Sequence, residues 1–139
     1  MERIEKTVDV RCPLKVVYNQ WMRFEDYPEF VSSVTELHQV DDTHVHCHTE
    51  FGGNETELDA EIIEQVPNEH IVWRSVSGIA SVGVVHFEPL GPQLTRVRLM
   101  MAYEPPATDG RRTLESLSRS VQHTAEDFKR FIEDRAGKR

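Results

Sequence analysis

Cysteine is nearly missing from this chain: among 139 residues there are two, Cys12 and Cys47. Two thiols cannot build the disulfide framework of a small secreted fold, and no metal-ligand spacing joins them. Long apolar runs are missing as well, since none approaches the roughly 18 residues that mark a membrane-spanning helix. Met1-Glu2-Arg3-Ile4-Glu5-Lys6 is charged where a secretory leader would begin its apolar stretch. These absences set the expectation of a protein with no membrane span in a reducing cytoplasm. There is no Gly-rich phosphate loop and no Gly-x-Gly-x-x-Gly, so no nucleotide cofactor is expected, and no other cofactor has a motif. No serine or cysteine stands in a recognisable triad with a histidine.

Positive charge is scarce over most of the chain, with 16 Lys/Arg against 24 Asp/Glu and a net charge of −8. Residues 109–139 carry eight basic and six acidic side chains, net +2, which leaves −10 for residues 1–108. Between Thr49 and Glu69 stand seven acidic residues and no basic one. That potential repels phosphate backbones, and nucleic acid is not an expected partner. Glu55, Glu57, Asp59 and Glu61 alternate with Thr56, Leu58, Ala60 and Ile62, which puts the acids on the solvated face of a strand. There, nothing raises a carboxyl pKa for acid catalysis. A docking surface for a basic partner is the alternative use of the same face.

What the chain does have is periodicity. Ile4, Val8 and Val10 share one parity and predict a half-buried strand. Pro13 opens a helix in which Leu14, Val17, Tyr18 and Trp21 follow at i, i+3, i+4 and i+7, ending near Arg23. Tyr27-Pro28 forces an extended corner and turns Phe30 and Val31 inward. Alternating segments follow near 33–40, 43–51, 55–66, 70–77, 81–89 and 93–104, with turn signals at Asp41-Asp42, Gly52-Gly53-Asn54, Pro67-Asn68, Gly78 and Gly91-Pro92. Their regular spacing predicts an antiparallel meander. From Arg111 the period becomes helical: Leu114, Leu117, Val121, Ala125, Phe128 and Ile132 form one apolar stripe over 111–135, with Arg119 and Lys129 outside it. Only Glu104 to Gly110 reads as a linker, a hinge between sheet and helix, so residues 1–139 are expected to form a single domain.

Cys12-Pro13, Val17-Tyr18, Tyr27-Pro28-Glu29-Phe30, Val34, Ile71-Val72-Trp73-Arg74-Ser75, the run from Gly83 to Leu90, Thr95-Arg96-Val97 and Tyr103-Glu104-Pro105 come in an order that resembles the START-like (SRPBCC) superfamily. Within it, they look most like the polyketide cyclase/dehydrase and coenzyme Q-binding group. The resemblance implies an α+β helix-grip fold of START/Bet v 1-like type, with a curved seven-stranded antiparallel sheet wrapped around the long C-terminal helix. It also implies an internal cavity that binds or transports a small hydrophobic ligand, lipid-like or polyketide-like; a polyketide cyclase/dehydrase enzyme is the alternative. Two positions depart from the pattern. Arg23 stands where the family often has an acidic residue, and Val31-Ser32-Ser33-Val34 replaces the Leu-Pro-Trp-Cys type segment of the coenzyme Q-binding branch.

Candidate ligand-contacting residues follow from parity. Trp73, Phe87, Met101 and Tyr103 fall on the inward face of their strands, Phe51 shares that parity, and Phe30 turns inward at the corner. Trp73 could stack on a planar ligand and Tyr103 could hydrogen-bond a carbonyl or, in a cyclase, assist proton transfer. Core packing is the competing role for each. Arg74, Arg96 and Arg98 have the opposite parity, which removes the polarising group a cyclase usually places inside. His44, His46 and His48 alternate with Val45, Cys47 and Thr49, so the imidazoles should face water, and no metal is expected there. A small hydrophobic molecule is the expected partner, with monomer and homodimer both open.

Overall fold

The computed structural model describes residues 2–31, 34–51, 54–76, 81–104 and 110–137. Strand β1 (Glu2–Val10) leads into helix α1 (Leu14–Trp21) and a 3-10 helix (Phe24–Glu29). Six strands follow, β2 (Val34–Gln39), β3 (His44–Phe51), β4 (Asn54–Val66), β5 (His70–Ser75), β6 (Ser81–Gly91) and β7 (Leu94–Tyr103), before the long helix α2 (Gly110–Gly137). The sheet order is β1-β7-β6-β5-β4-β3-β2, antiparallel throughout. β2 to β7 therefore form the expected meander, and β1 closes its far edge by pairing Val8 with Val97 and Ile4 with Met101. The sheet is curved. Register shifts between Val34 and Glu36, Ile62 and Glu64, and Pro89 and Gly91 bend it locally, as bulges do.

Every strand contributes buried apolar residues to one side of the sheet. Ile4 and Val10, Leu37, Val45 and Cys47, Ala60 and Ile62, Ile71, Val85 and Phe87, and Val97, Leu99 and Tyr103 line the concave side. Thr95 joins them because its Oγ1 donates to the Cys12 carbonyl at 2.8 Å. The cover comes from three pieces: α2 lies chiefly along β1, α1 over β6 and β7, and the 3-10 helix against β2. Pro13 caps α1, and its carbonyl accepts the N–H groups of Val16 and Val17. The 3-10 helix carries Pro28, and the Tyr27 carbonyl accepts the N–H groups of Phe30 and Val31, which swings Phe30 inward.

The three covers meet in an aromatic cluster. Trp21 lies 4.8 Å from Phe128 and 5.1 Å from Phe30 between ring centroids, and Phe30 is 5.1 Å from both Phe128 and Phe131. Tyr27 packs edge-on against Trp21 and donates its hydroxyl to the Trp21 carbonyl at 2.7 Å. The tilted and edge-to-face geometries are those preferred by aromatic quadrupoles.

Along α2, Ala125, Phe128 and Ile132 are buried, Val121 is half-buried and Arg119 is exposed. The side chains of Leu114 and Leu117 lie outside the described residues, as do the turns proposed at Gly52-Gly53 and Gly78. Lys129 departs from expectation: it is half-buried, and its ammonium donates to the Asp9 carbonyl at 2.9 Å and to Glu133 Oε2 at 2.6 Å. The head group thereby ties α2 to the end of β1. β6 also extends past 89 to Gly91, because the bulge accommodates Pro89 without ending the pairing. At the β4–β5 turn Asn68 takes φ 62°, a left-handed conformation that asparagine tolerates.

Phe128 is completely buried at the junction of helix, corner and sheet. Phe128→Ala should cost on the order of 3 kcal/mol in a urea melt; a variant that unfolds with the parent would show that α2 packs in another register. Burial pushes the Cys47 thiol up to about 11, so the neutral thiol's contribution to stability is complete below the ordinary thiol pKa and is lost as pH rises through that range. At about pH 8 native Cys47 should resist a thiol reagent and react once the chain is unfolded in urea. Equal labelling rates in the two states would contradict its place in the core.

Candidate ligand-binding site

Away from the aromatic cluster, the register of five strands assembles a second surface on the concave face. Trp73 of β5 lies opposite Gly83 of β6, which lies opposite Met101 of β7, which lies opposite Ile4 of β1. On its other side Trp73 faces Ile62 of β4. A Cβ on residue 83 would stand 2.1 Å from Trp73 Cζ2, so the indole lies on bare glycine backbone. Only glycine allows that approach. The next row pairs Tyr103 with Ser81, and the Ser81 N–H donates to Ser75 Oγ at 2.9 Å beside the indole's strand. Val121 of α2 packs against Ile4 and Tyr103. Trp73 and Met101 are half-buried, whereas Tyr103 is sealed.

Trp73, Met101 and Tyr103 are thus brought together as parity suggests. Phe87 and Phe30 belong to the core cluster: Phe87 meets the edge of Tyr18 at 5.6 Å, Phe30 sits among Trp21, Tyr27, Phe128 and Phe131, and both are almost fully buried. The Phe51 side chain lies outside the described residues. Two polar groups that periodicity reads as plain core also face the interior. The Tyr18 hydroxyl and the Trp21 Nε1–H are buried with no hydrogen-bond partner among the described residues. Leaving such a group unsatisfied costs about 1–3 kcal/mol. The amphipathic spacing of α1 marks Tyr18 as inward but says nothing of its hydroxyl.

A separate open groove of about 630 Å³ runs between β1 and α2, walled by Arg3, Glu5, Lys6, Glu115, Ser118 and Arg119 with Ile4 beneath. Its walls are charged, and none of the six sequence-derived candidates lines it.

On the convex face the arginines are paired: Arg74 with Glu61 at 2.9 Å, Arg96 with Asp9 at 2.9 Å and Arg98 with Glu5 at 3.5 Å. They lie behind the sheet from Trp73. The histidines also lie on that face, opposite Val45, Cys47 and Thr49, but each meets a carboxylate that the sequence reading did not place beside it. His44 contacts Asp41 at 2.9 Å and Glu61 at 3.3 Å, His46 contacts Asp59 at 2.5 Å, and His48 contacts Glu57 at 3.3 Å. The hydrogen bond that His44 donates to Asp41 raises the His44 pKa, and the one that His46 donates to Asp59 raises the His46 pKa. The cross-strand register that sets His44 against Glu61, His46 against Asp59 and His48 against Glu57 is invisible to alternation within one strand.

A family profile described as polyketide cyclase / dehydrase and lipid transport matches residues 10–131. An uncharacterized 17.2 kDa protein of the melC2–rnhH intergenic region of Streptomyces lincolnensis is 38% identical over 138 residues, spanning 97% of this chain and 92% of that one. Among solved structures, a START superfamily protein from Mycobacterium smegmatis is similar with a TM-score of 0.86 at 15% identity, over 95% of this chain and 97% of its own. The Zhui aromatase/cyclase from Streptomyces sp. R1128 is similar with a TM-score of 0.83 at 15% identity, over 97% and 95%. At such identities the two structures speak for the helix-grip fold alone. The profile match goes further: the chain belongs to the polyketide cyclase / dehydrase and lipid transport family.

Proposed function

We propose that residues 1–139 act as one START-like domain that binds or carries a small hydrophobic molecule, lipid-like or polyketide-like, on the concave face at Trp73 and Met101. The observation that carries this reading is the half-buried indole seated on Gly83. One ring face is committed to the sheet, and the residue keeps exposed surface on which an apolar ligand can pack. Met101 beside it is a flexible, polarizable wall suited to ligands of uneven shape. From the covering helix α1, the buried Tyr18 hydroxyl supplies a hydrogen-bond donor for a ligand carbonyl. Two buried thiols fit a reducing, cytoplasmic setting, and no described helix is long and apolar enough to cross a membrane.

A cyclase/dehydrase is the second reading, favoured by the buried tyrosines Tyr103 of β7 and Tyr18 of the covering helix α1. Such an enzyme would fold a reactive poly-β-ketone into a near-attack geometry, with Tyr103 or Tyr18 moving a proton. The arginines are placed against it, since all three lie on the convex side in ion pairs. Turnover of an added poly-β-ketone that slows in Tyr103→Phe supports the enzyme; saturable binding without conversion supports the carrier.

Titration with an apolar fluorophore or an aromatic polyketide mimic should change tryptophan emission. The change should vanish in Trp73→Phe and persist in Trp21→Phe, because Trp21 belongs to the core cluster. An unmatched ligand should bind with about micromolar affinity or weaker, once association entropy is offset. No saturable binding across a panel of fatty acids and aromatic polyketides would overturn both readings. Gly83→Ala should push the indole off its seat, cost about 1–3 kcal/mol through overpacking and weaken the same titration. Parent-like emission and affinity in Gly83→Ala would remove the Trp73–Gly83 row from the site.

A further inference from the structure

We propose that the convex face, behind the ligand surface, holds a divalent transition-metal site of the zinc class formed by His46 and His48 of β3 and Glu57 of β4. The alternation of β3 sends both imidazoles to the same side, and the antiparallel register sets Glu57 across from His48 and Asp59 across from His46. On the other flank β2 sets Glu36 across from His48 and His38 across from His46. Two neutral-nitrogen donors and a carboxylate are a ligand set that suits zinc, copper or nickel better than magnesium or calcium.

The distances agree with that chemistry. One ligand atom from each of His46, His48 and Glu57 can be chosen so that all three lie within 4.8 Å of one another. His48 Nε2 and Glu57 Oε1 are already 3.3 Å apart, the spacing of two ligands each about 2.0–2.1 Å from a tetrahedral ion. The His46 and His48 rings stand nearly perpendicular, 5.4 Å between centroids, so their nitrogens can converge on one ion instead of stacking. All three side chains are at least a third exposed and can close the remaining gap by small rotations.

Asp59 completes the arrangement from behind. Its Oδ1 lies 2.5 Å from His46 Nδ1, the place of the carboxylate that orients a metal-bound imidazole and leaves Nε2 as the ligating nitrogen. The acidic stretch from Thr49 to Glu69, which contains no basic residue, adds a local potential that draws cations. Among the described residues no other trio of His, Cys, Asp or Glu converges in this way. The second imidazole pair, His70 and His86, is stacked nearly parallel at 6.4 Å and serves as an internal control. Because the ligands come from both strands of one hairpin, a bound ion clamps β3 to β4 and favours the native chain over the unfolded one.

The test uses the full chain after chelator washing, titrated with zinc chloride by calorimetry and followed in parallel by thermal melting. One ion per chain should bind with about micromolar affinity and raise the melting temperature saturably. His48→Gln and Glu57→Gln should each weaken binding about tenfold or more, Asp59→Asn about tenfold, and His86→Gln not at all. Cobalt(II) provides a readout on the unaltered protein: visible d–d absorption of tetrahedral intensity, displaced by zinc. The proposal fails if no saturable binding occurs below about 1 mM, or if stoichiometric binding survives in the His46→Gln/His48→Gln double variant.

Discussion

A seven-stranded curved sheet with one apolar face has to be covered, and among the described residues two helices and one 3-10 helix do it. Each large side chain buried there contributes about 1.5–3 kcal/mol, so the cover concentrates where three pieces converge on Trp21, Phe30 and Phe128. α2 is held there by its apolar stripe and by the Lys129 bond to the Asp9 carbonyl. The Trp73 end of the central strands receives less cover. There the sheet shields itself by laying an indole on glycine backbone, and what that indole leaves open is the surface proposed for the ligand.

Much of this architecture is legible in the residues because it rests on local periods. The period of two from residue 34 to 103 and the helical stripe after Arg111 define nearly every element, and Pro13, Pro28 and the turn residues mark most of the breaks. Parity also separates Trp73, Met101 and Tyr103 from Arg74, Arg96 and Arg98. What parity lacks is depth. It cannot tell that Phe30 and Phe87 pack within the cluster while Trp73 stays half-exposed, since all of them point the same way. Nor can it foresee Lys129 turning back toward β1, because that depends on where the helix axis lies over the sheet. The Trp73–Gly83 contact was visible only as an isolated aromatic and an isolated glycine; register brings them together.

The convex face shows the same limitation in its electrostatics. Read within single strands, it is a row of acids and a row of histidines facing water. Paired across β2, β3 and β4, the rows interleave, and the imidazoles become partners of carboxylates. Asp9 follows the same logic near the other edge: its hydrogen bond from Arg96 holds the carboxyl below its usual range. That pair therefore supports the fold above about pH 4 and is lost as acid protonates Asp9. The two faces divide the labour, with charge and metal-competent side chains outside and aromatic, apolar and hydroxyl groups inside.

The central claim is that the concave face is a container. It is tested most directly by native mass spectrometry of the protein as isolated from its own cells, without detergent or added ligand. The account predicts a fraction of molecules carrying a small apolar adduct that is removed by organic extraction and is absent from Trp73→Phe isolated in the same way. A bare polypeptide mass, unchanged after incubation with lipid and polyketide extracts, would contradict it.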